Sequence, residues 1–163
     1  VIAHTTDRPT VLVTSRQKLP VLDETVGALV NRGGYILKDA ADGDLDMIIM
    51  ASGSEIHLAL EVQDQLAQKG LNVRVVSMPC MDLFKEQPKG YRDSVLPPEV
   101  TNRVAIEMGA SQSWYEFTGL DGHVFGIDTF GASGNGDEVI KHFGFTADQI
   151  VDALNSETKQ VTM

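Results

Sequence analysis

Met47-Ile48-Ile49-Met50-Ala51-Ser52-Gly53-Ser54-Glu55 decides the fold. Five unbroken apolar residues have the length of a strand, and a strand apolar on both sides belongs in a sheet covered on both faces. Ser52 to Glu55 then turns the chain, with Ser54 placed to cap the next element. Ile56, Ala59, Leu60, Gln63, Leu66 and Ala67 recur at the helical period, and Lys69-Gly70 stops that helix. Val73 to Met78 is the next strand. A strand, a helix and a strand joined by short connections make a right-handed crossover unit of a parallel sheet.

Working outward, Tyr35 to Lys38 is a short strand ahead of the acidic loop Asp39 to Asp44. Downstream, Asp82 to Gln87 and Tyr91 to Leu96 are helical pieces separated by Pro88 and ended by Pro97-Pro98. Arg103 to Glu107 and His123 to Ile127 are strands, with a helix over Ser111 to Phe117 between them. Gly136 to Phe143 and Thr146 to Leu154 close the domain, the latter opened by the capping box Thr146-Ala147-Asp148-Gln149. Asn155 to Met163 is polar and predicted to fray. The sum is a three-layer α/β/α domain around a mostly parallel sheet of about five strands.

The front of the chain differs. Pro9 to Ser15 reads as a β-branched strand, left by the polar loop Ser15 to Pro20 and followed by a break at Asn31 to Gly34. A lone strand needs a sheet. The charge is uneven too: residues 1–35 balance at +1, whereas residues 36–163 balance at −11, which together give the net −10. Together with a first residue that is valine, this predicts a piece of a longer protein.

Composition narrows the function. The 163 residues suit one domain with a piece of a neighbour and can bury about two thirds of the unfolded surface. Hydrophobic residues at 42% and charged residues at 22% are globular values. A net charge of −10 repels nucleic-acid backbones at long range. No apolar run is long enough to span a bilayer and no signal pattern opens the chain, so membrane insertion and secretion are not expected. The single Cys80 cannot form an internal disulfide, which fits a reducing compartment.

Most candidate motifs have a plain structural reading. Asp42-Gly43-Asp44-Leu45-Asp46 alternates carboxylates like a calcium loop. The sixth position is Met47 and the twelfth Gly53, where glycine and glutamate are needed, so a solvated turn is preferred. Gly131 to Gly136 enters a helix as phosphate cradles do, but Asp137 and Glu138 fill the first turn and repel an anion. His4, His57, His123 and His142 make no ligand pair, and no metal site is expected. Ser52 and Ser54 lack the nucleophile-elbow frame, which leaves capping. Cys80 reads as a packed small residue. Trp114 and Tyr115 fit a partner surface or the core equally well.

Arg16 stands apart. It follows a strand directly, flanked by Ser15 and Gln17, and ligands of α/β sheets bind beyond the carboxyl ends of strands. A guanidinium there offers a planar fork to phosphate or carboxylate. Taken on its residues alone, a solvated surface arginine is the more common outcome.

Pro9 to Pro20, with its Ser15-Arg16-Gln17 motif, resembles the end of the pyrimidine-binding domain of transketolase. Gly34 to Asp39, Ala51 to Glu55, Val73 to Pro79, Phe130 to Gly134 and Phe143 to Thr146 resemble successive segments of the transketolase C-terminal domain. The likeness covers nearly the whole chain in the right order. It departs at Asn135-Gly136, where members often carry proline or alanine.

The resemblance implies residues 1–34 as the tail of the pyrimidine-binding domain plus linker, and residues 35–163 as the C-terminal domain. It implies a parent enzyme, cytoplasmic and homodimeric, that transfers a two-carbon ketol unit from a ketose phosphate to an aldose phosphate in the pentose phosphate pathway. The parent would use thiamine diphosphate and magnesium, and Arg16 would match the arginine that holds the substrate phosphate. The Gly-Asp-Gly cofactor motif is absent here, since this chain has Asp42-Gly43-Asp44, and so is the glutamate that activates the cofactor. The chain alone is therefore expected to be an inactive scaffold and dimer-contact domain that binds no cofactor, with no catalytic residue of its own. The alternatives are another thiamine enzyme with the same third domain, namely a ketoacid dehydrogenase β subunit or deoxyxylulose phosphate synthase, or a regulatory module that binds an anion at Gly131 to Gly136.

Overall fold

Every residue of the strand Met47–Ala51 (β2) is buried, and that strand is the centre of the sheet. The computed structural model describes residues 9–15, 18–22, 29–41 and 43–158. Along the chain follow Tyr35–Lys38 (β1), β2, Glu55–Gln68 (α1), Val73–Ser77 (β3), Met81–Lys85 (α2) and Lys89–Val95 (α3). Arg103–Ile106 (β4), a 3-10 turn over Ser111–Trp114, Tyr115–Thr118 (α4), His123–Phe125 (β5), Gly136–His142 (α5) and Ala147–Thr158 (α6) complete it. The sheet order is β1-β3-β2-β4-β5, with β3, β2, β4 and β5 parallel and β1 antiparallel on the outer edge of β3.

Alternation along each strand builds the two outer layers. Ile49, Val75, Val104 and Ile106 face a core shared with Ile56, Ala59, Val62 and Leu66 of α1 and with Ile150, Val151 and Leu154 of α6. Ile48, Met50, Val76 and Ala105 face the opposite core, with Phe84, Val95, Trp114 and Phe117. The α/β/α reading therefore holds. The buried stripe of α1 runs through Ile56, Ala59, Val62, Gln63 and Leu66, with Leu60 partly buried against the same core, so the predicted face holds except at Ala67, which is exposed.

Several local expectations change. Ser54 makes no side-chain cap; its hydroxyl donates to the Glu55 carboxylate at 3.2 Å, and the Glu55 amide bonds the Ser52 carbonyl at 3.2 Å. Thr146 does cap, accepting from the Gln149 amide at 3.4 Å, and the Gln149 side chain reaches back to it: Oε1 accepts from the Thr146 hydroxyl at 2.8 Å while Nε2 donates to the Lys141 carbonyl at 3.2 Å. The last helix runs on to Thr158 instead of fraying after Leu154. Residues 9–15 form no strand. Val11 and Val13 are 85% and 88% exposed, because the segment pairs with no strand of the described sheet and so has no layer to cover it.

Gly33 fastens the front of the domain. It adopts a left-handed φ of 79°, and a Cβ there would overlap the Cys80 carbonyl oxygen and the Phe84 amide nitrogen. Its own carbonyl accepts from the Cys80 amide at 2.9 Å. Only glycine satisfies both the dihedral and the approach.

Candidate functional site

The chain leaves β2 toward β3 on one side and later returns to β4 on the other, so the sheet reverses direction between β2 and β4. The crevice beyond the carboxyl ends of two such strands is where open α/β sheets hold ligands. Glu55, in the first turn of α1, and Glu107, just past β4, meet there. Glu55 is only 7% exposed. Burial, and secondarily the charge of Glu107, hold its carboxyl above the usual range, partly offset by its own amide, the Ser54 hydroxyl and the Met108 amide. Glu107 accepts from the Trp114 indole at 3.2 Å. The Glu55 carboxylate thus joins the start of α1 to the loop after β4.

Beside it, the Ser111 amide and hydroxyl donate to the two Asp128 oxygens at 2.9 and 2.7 Å. Those bonds hold the Asp128 carboxyl below its usual range. With that proton spent on Asp128, Ser111 Oγ accepts from the Tyr115 hydroxyl at 3.2 Å. A carboxylate alone is too weak a base to activate an alcohol, so this pair ties the loops after β4 and β5 together and does not constitute a nucleophile. Trp114 is buried in the core and Tyr115 is 55% exposed, which divides the two roles left open for that pair.

Arg16 lies outside the described residues. Its neighbours Ser15 and Lys18 are exposed, and Leu19 to Leu22 run along a cavity of ≈ 320 Å³ floored by Tyr35, Leu37 and Ile56. Asp42 also lies outside them; Asp46 accepts from the Asn72 amide at 2.7 Å, so its carboxylate serves the turn before β2. Gly131 to Gly136 is exposed, and Asn135 caps α5 by accepting from the Asp137 amide at 3.0 Å. Cys80 is half-buried, with its amide and carbonyl both bonded. Among the described residues no group of three or more His, Cys, Asp or Glu could hold a metal ion. The Glu55–Glu107 contact escaped sequence reasoning because an acidic residue in a first turn is ordinarily solvated. The signal available was the reversal of strand order, which one sequence does not reveal.

Comparison with known proteins now adds to this geometry. Residues 33–146 match the family model of the transketolase-like C-terminal domain. The chain belongs to the transketolase C-terminal domain family. Transketolase of Geobacillus stearothermophilus is 45% identical over 151 residues, 91% of this chain and 23% of the relative. Transketolase of Bacillus subtilis is 44% identical over 156 residues, 94% of this chain and again 23% of the relative. The chain thus spans about a quarter of the length of the transketolases it matches. Among solved structures, transketolase from Leishmania mexicana superposes with a TM-score of 0.79 at 34% identity, covering 91% of this chain and 21% of that one. The family match begins at Gly33, the residue that anchors the front of the transketolase-like domain to α2.

Proposed function

We propose that this chain is the C-terminal part of a transketolase whose parent moves a two-carbon ketol unit between sugar phosphates. The observation that carries the reading is the continuous match at about 45% identity to transketolases over nine tenths of the chain. In that reading residues 1–34 close the pyrimidine-binding domain and form the linker, residues 35–163 form the C-terminal domain, and the parent is a cytoplasmic homodimer. Among the described residues no helix is long and apolar enough to cross a membrane.

Arg16 holds the substrate phosphate in this proposal. The Ser15-Arg16-Gln17 motif supports it, and a charge-assisted contact far from the reacting carbonyl supplies orientation and binding energy. Thiamine diphosphate and a divalent cation supply the carbonyl chemistry of the parent. The described residues do not fit either group: they include no Gly-Asp-Gly motif and no donor set for the ion. The domain's own contribution is a rigid scaffold, with Gly33 fixing its entry.

Kinetics of the parent test the assignment. Arg16→Ala should raise KM for phosphorylated sugars roughly ten- to a hundredfold, the loss of one charged hydrogen-bonding contact, while leaving non-phosphorylated acceptors nearly unchanged. Equal effects on both substrate types would remove Arg16 from the phosphate site. Ketol transfer by the purified 163-residue chain would overturn its assignment as an inactive part.

A further inference from the structure

A second cavity, of ≈ 290 Å³, lies between α2, α3 and α4 and reaches Arg103 at the first residue of β4. That is the end of the sheet opposite Glu55 and Glu107. Its charged lining is Lys85, Lys89, Arg92 and Arg103 against Asp93 and Glu116, a local excess of cations in a chain of net charge −10. The two lysines are already paired, Lys89 with Asp93, and Lys85 with Asp82 and Glu116. The two arginines are not.

Arg103 spends four donor contacts on carbonyls: Val100 at 2.9 Å, Phe117 at 3.0 Å, Leu96 at 3.2 Å and Pro97 at 2.8 Å. None of these carries a formal charge, so the guanidinium is oriented without being neutralised; Glu99 acts on it only at a distance. The Arg92 Nε–H is shut off from solvent and has no hydrogen-bond partner, and its side chain makes no ion pair among the described residues. A desolvated donor without an acceptor is rare in folded proteins, and it leaves the Arg92 charge uncompensated by the protein itself. The floor of the cavity is apolar, made by Phe84, Leu96 and Phe117, with the two phenyl rings 6.1 Å apart.

We propose that this cavity binds a small phosphate monoester carrying a planar or apolar body, with the phosphate on Arg92 and Arg103 and the body over Phe84 and Phe117. A dianion answers two unneutralised guanidiniums better than a carboxylate; Arg92 offers its terminal nitrogens to the oxygens, while Arg103, with four donor contacts already on carbonyls, contributes its charge and one remaining N–H. The aromatic floor gives the organic part a place that bare phosphate cannot use. The site is independent of Arg16 and of the ketol-transfer reading.

Titration of the 163-residue chain with phenyl phosphate, followed by calorimetry and by amide NMR shifts, tests it. Saturable binding is expected, with shifts centred on Phe84, Leu96 and Phe117, and weaker binding of both inorganic phosphate and benzoate. Arg92→Gln should weaken binding at least about tenfold while the melting temperature is kept, and Arg92→Lys should fall between it and the wild type. Lys141→Gln, on the exposed face of α5, should change nothing. No saturable binding, equal affinity in Arg92→Gln and wild type, shifts centred on Gly131 to Gly136, or benzoate binding as tightly as phenyl phosphate would each overturn the proposal. Should Arg92→Gln fail to fold, the same comparison is read from Arg92→Lys.

Discussion

Val11-Leu12-Val13 and Ile48-Ile49-Met50 are near-equivalent in sequence: three consecutive apolar residues of strand type. Their fates are opposite. The first three side chains stand in solvent, Leu12 at 69% exposure, while the second three are fully buried. A strand pattern supplies apolar surface and unpaired backbone groups, and only neighbouring strands turn those into stability. β2 has β3 and β4 on its flanks and a helical layer on each face. Residues 9–15 pair with no strand among the described residues, and no helix layer covers them.

The largest effect should come from the centre of the sheet. Ile49→Ala removes buried methyls from a core that α1 and α6 clamp from one side, and should cost about 2–5 kcal/mol. Denaturant unfolding with an unchanged m-value checks it. Gly33→Ala comes next. It forces a side chain into the left-handed region and against the Cys80 carbonyl, and should cost about 1–3 kcal/mol while loosening the start of the domain. Hydrogen exchange at the Cys80 amide, which bonds to Gly33, should accelerate in that variant. If Gly33→Ala left both quantities unchanged, the anchoring assigned to this residue would be wrong.

The layer plan was legible because periodicities of 2 and 3.6 are local properties, and β2, α1 and β3 display them without interruption. Strand order was not, since it depends on which crossover goes to which side. Everything that depends on order was therefore hidden as well: the meeting of Glu55 with Glu107, and the burial of Glu55 at a turn that looked solvated. Arg92 and Arg103 escaped for a related reason. They are 11 positions apart, on a helix and a strand, and their shared cavity exists only once α3 and α4 pack over the second face. The likeness to transketolase, by contrast, needed no geometry, because its segments sit in order along the chain.

Acid titration should separate the two carboxyl sites at the sheet's carboxyl end. Glu55 is raised in the folded chain above 4.5, so between 4.5 and its folded value the native state holds the proton more often than the unfolded state. The stability it contributes is therefore full below 4.5 and lost as pH rises through the folded value. Asp128 is lowered below 3.8, so its contribution is present above 3.8 and lost as pH falls through the folded value. Glu55→Gln should flatten the pH dependence in the upper window and leave the lower one intact; Asp128→Asn should do the reverse. A Glu55→Gln profile that still falls above 4.5 would mean another group carries that slope.

Leu12→Ala should have the smallest effect in this chain, within about 0.5 kcal/mol, since a side chain already in solvent loses little by truncation. The same substitution in a transketolase parent is the sharper measurement. There, in the proposed assignment, residues 9–15 close a sheet belonging to the preceding domain, Leu12 is enclosed, and the change should cost about 2–5 kcal/mol. The contrast between the two hosts isolates the contribution of the partner strands, because the sequence, the substitution and the flanking loop are held constant. Equal small effects in both hosts would show that residues 9–15 remain outside any sheet, and Arg16 would then lose the strand end that is proposed to aim it at a phosphate.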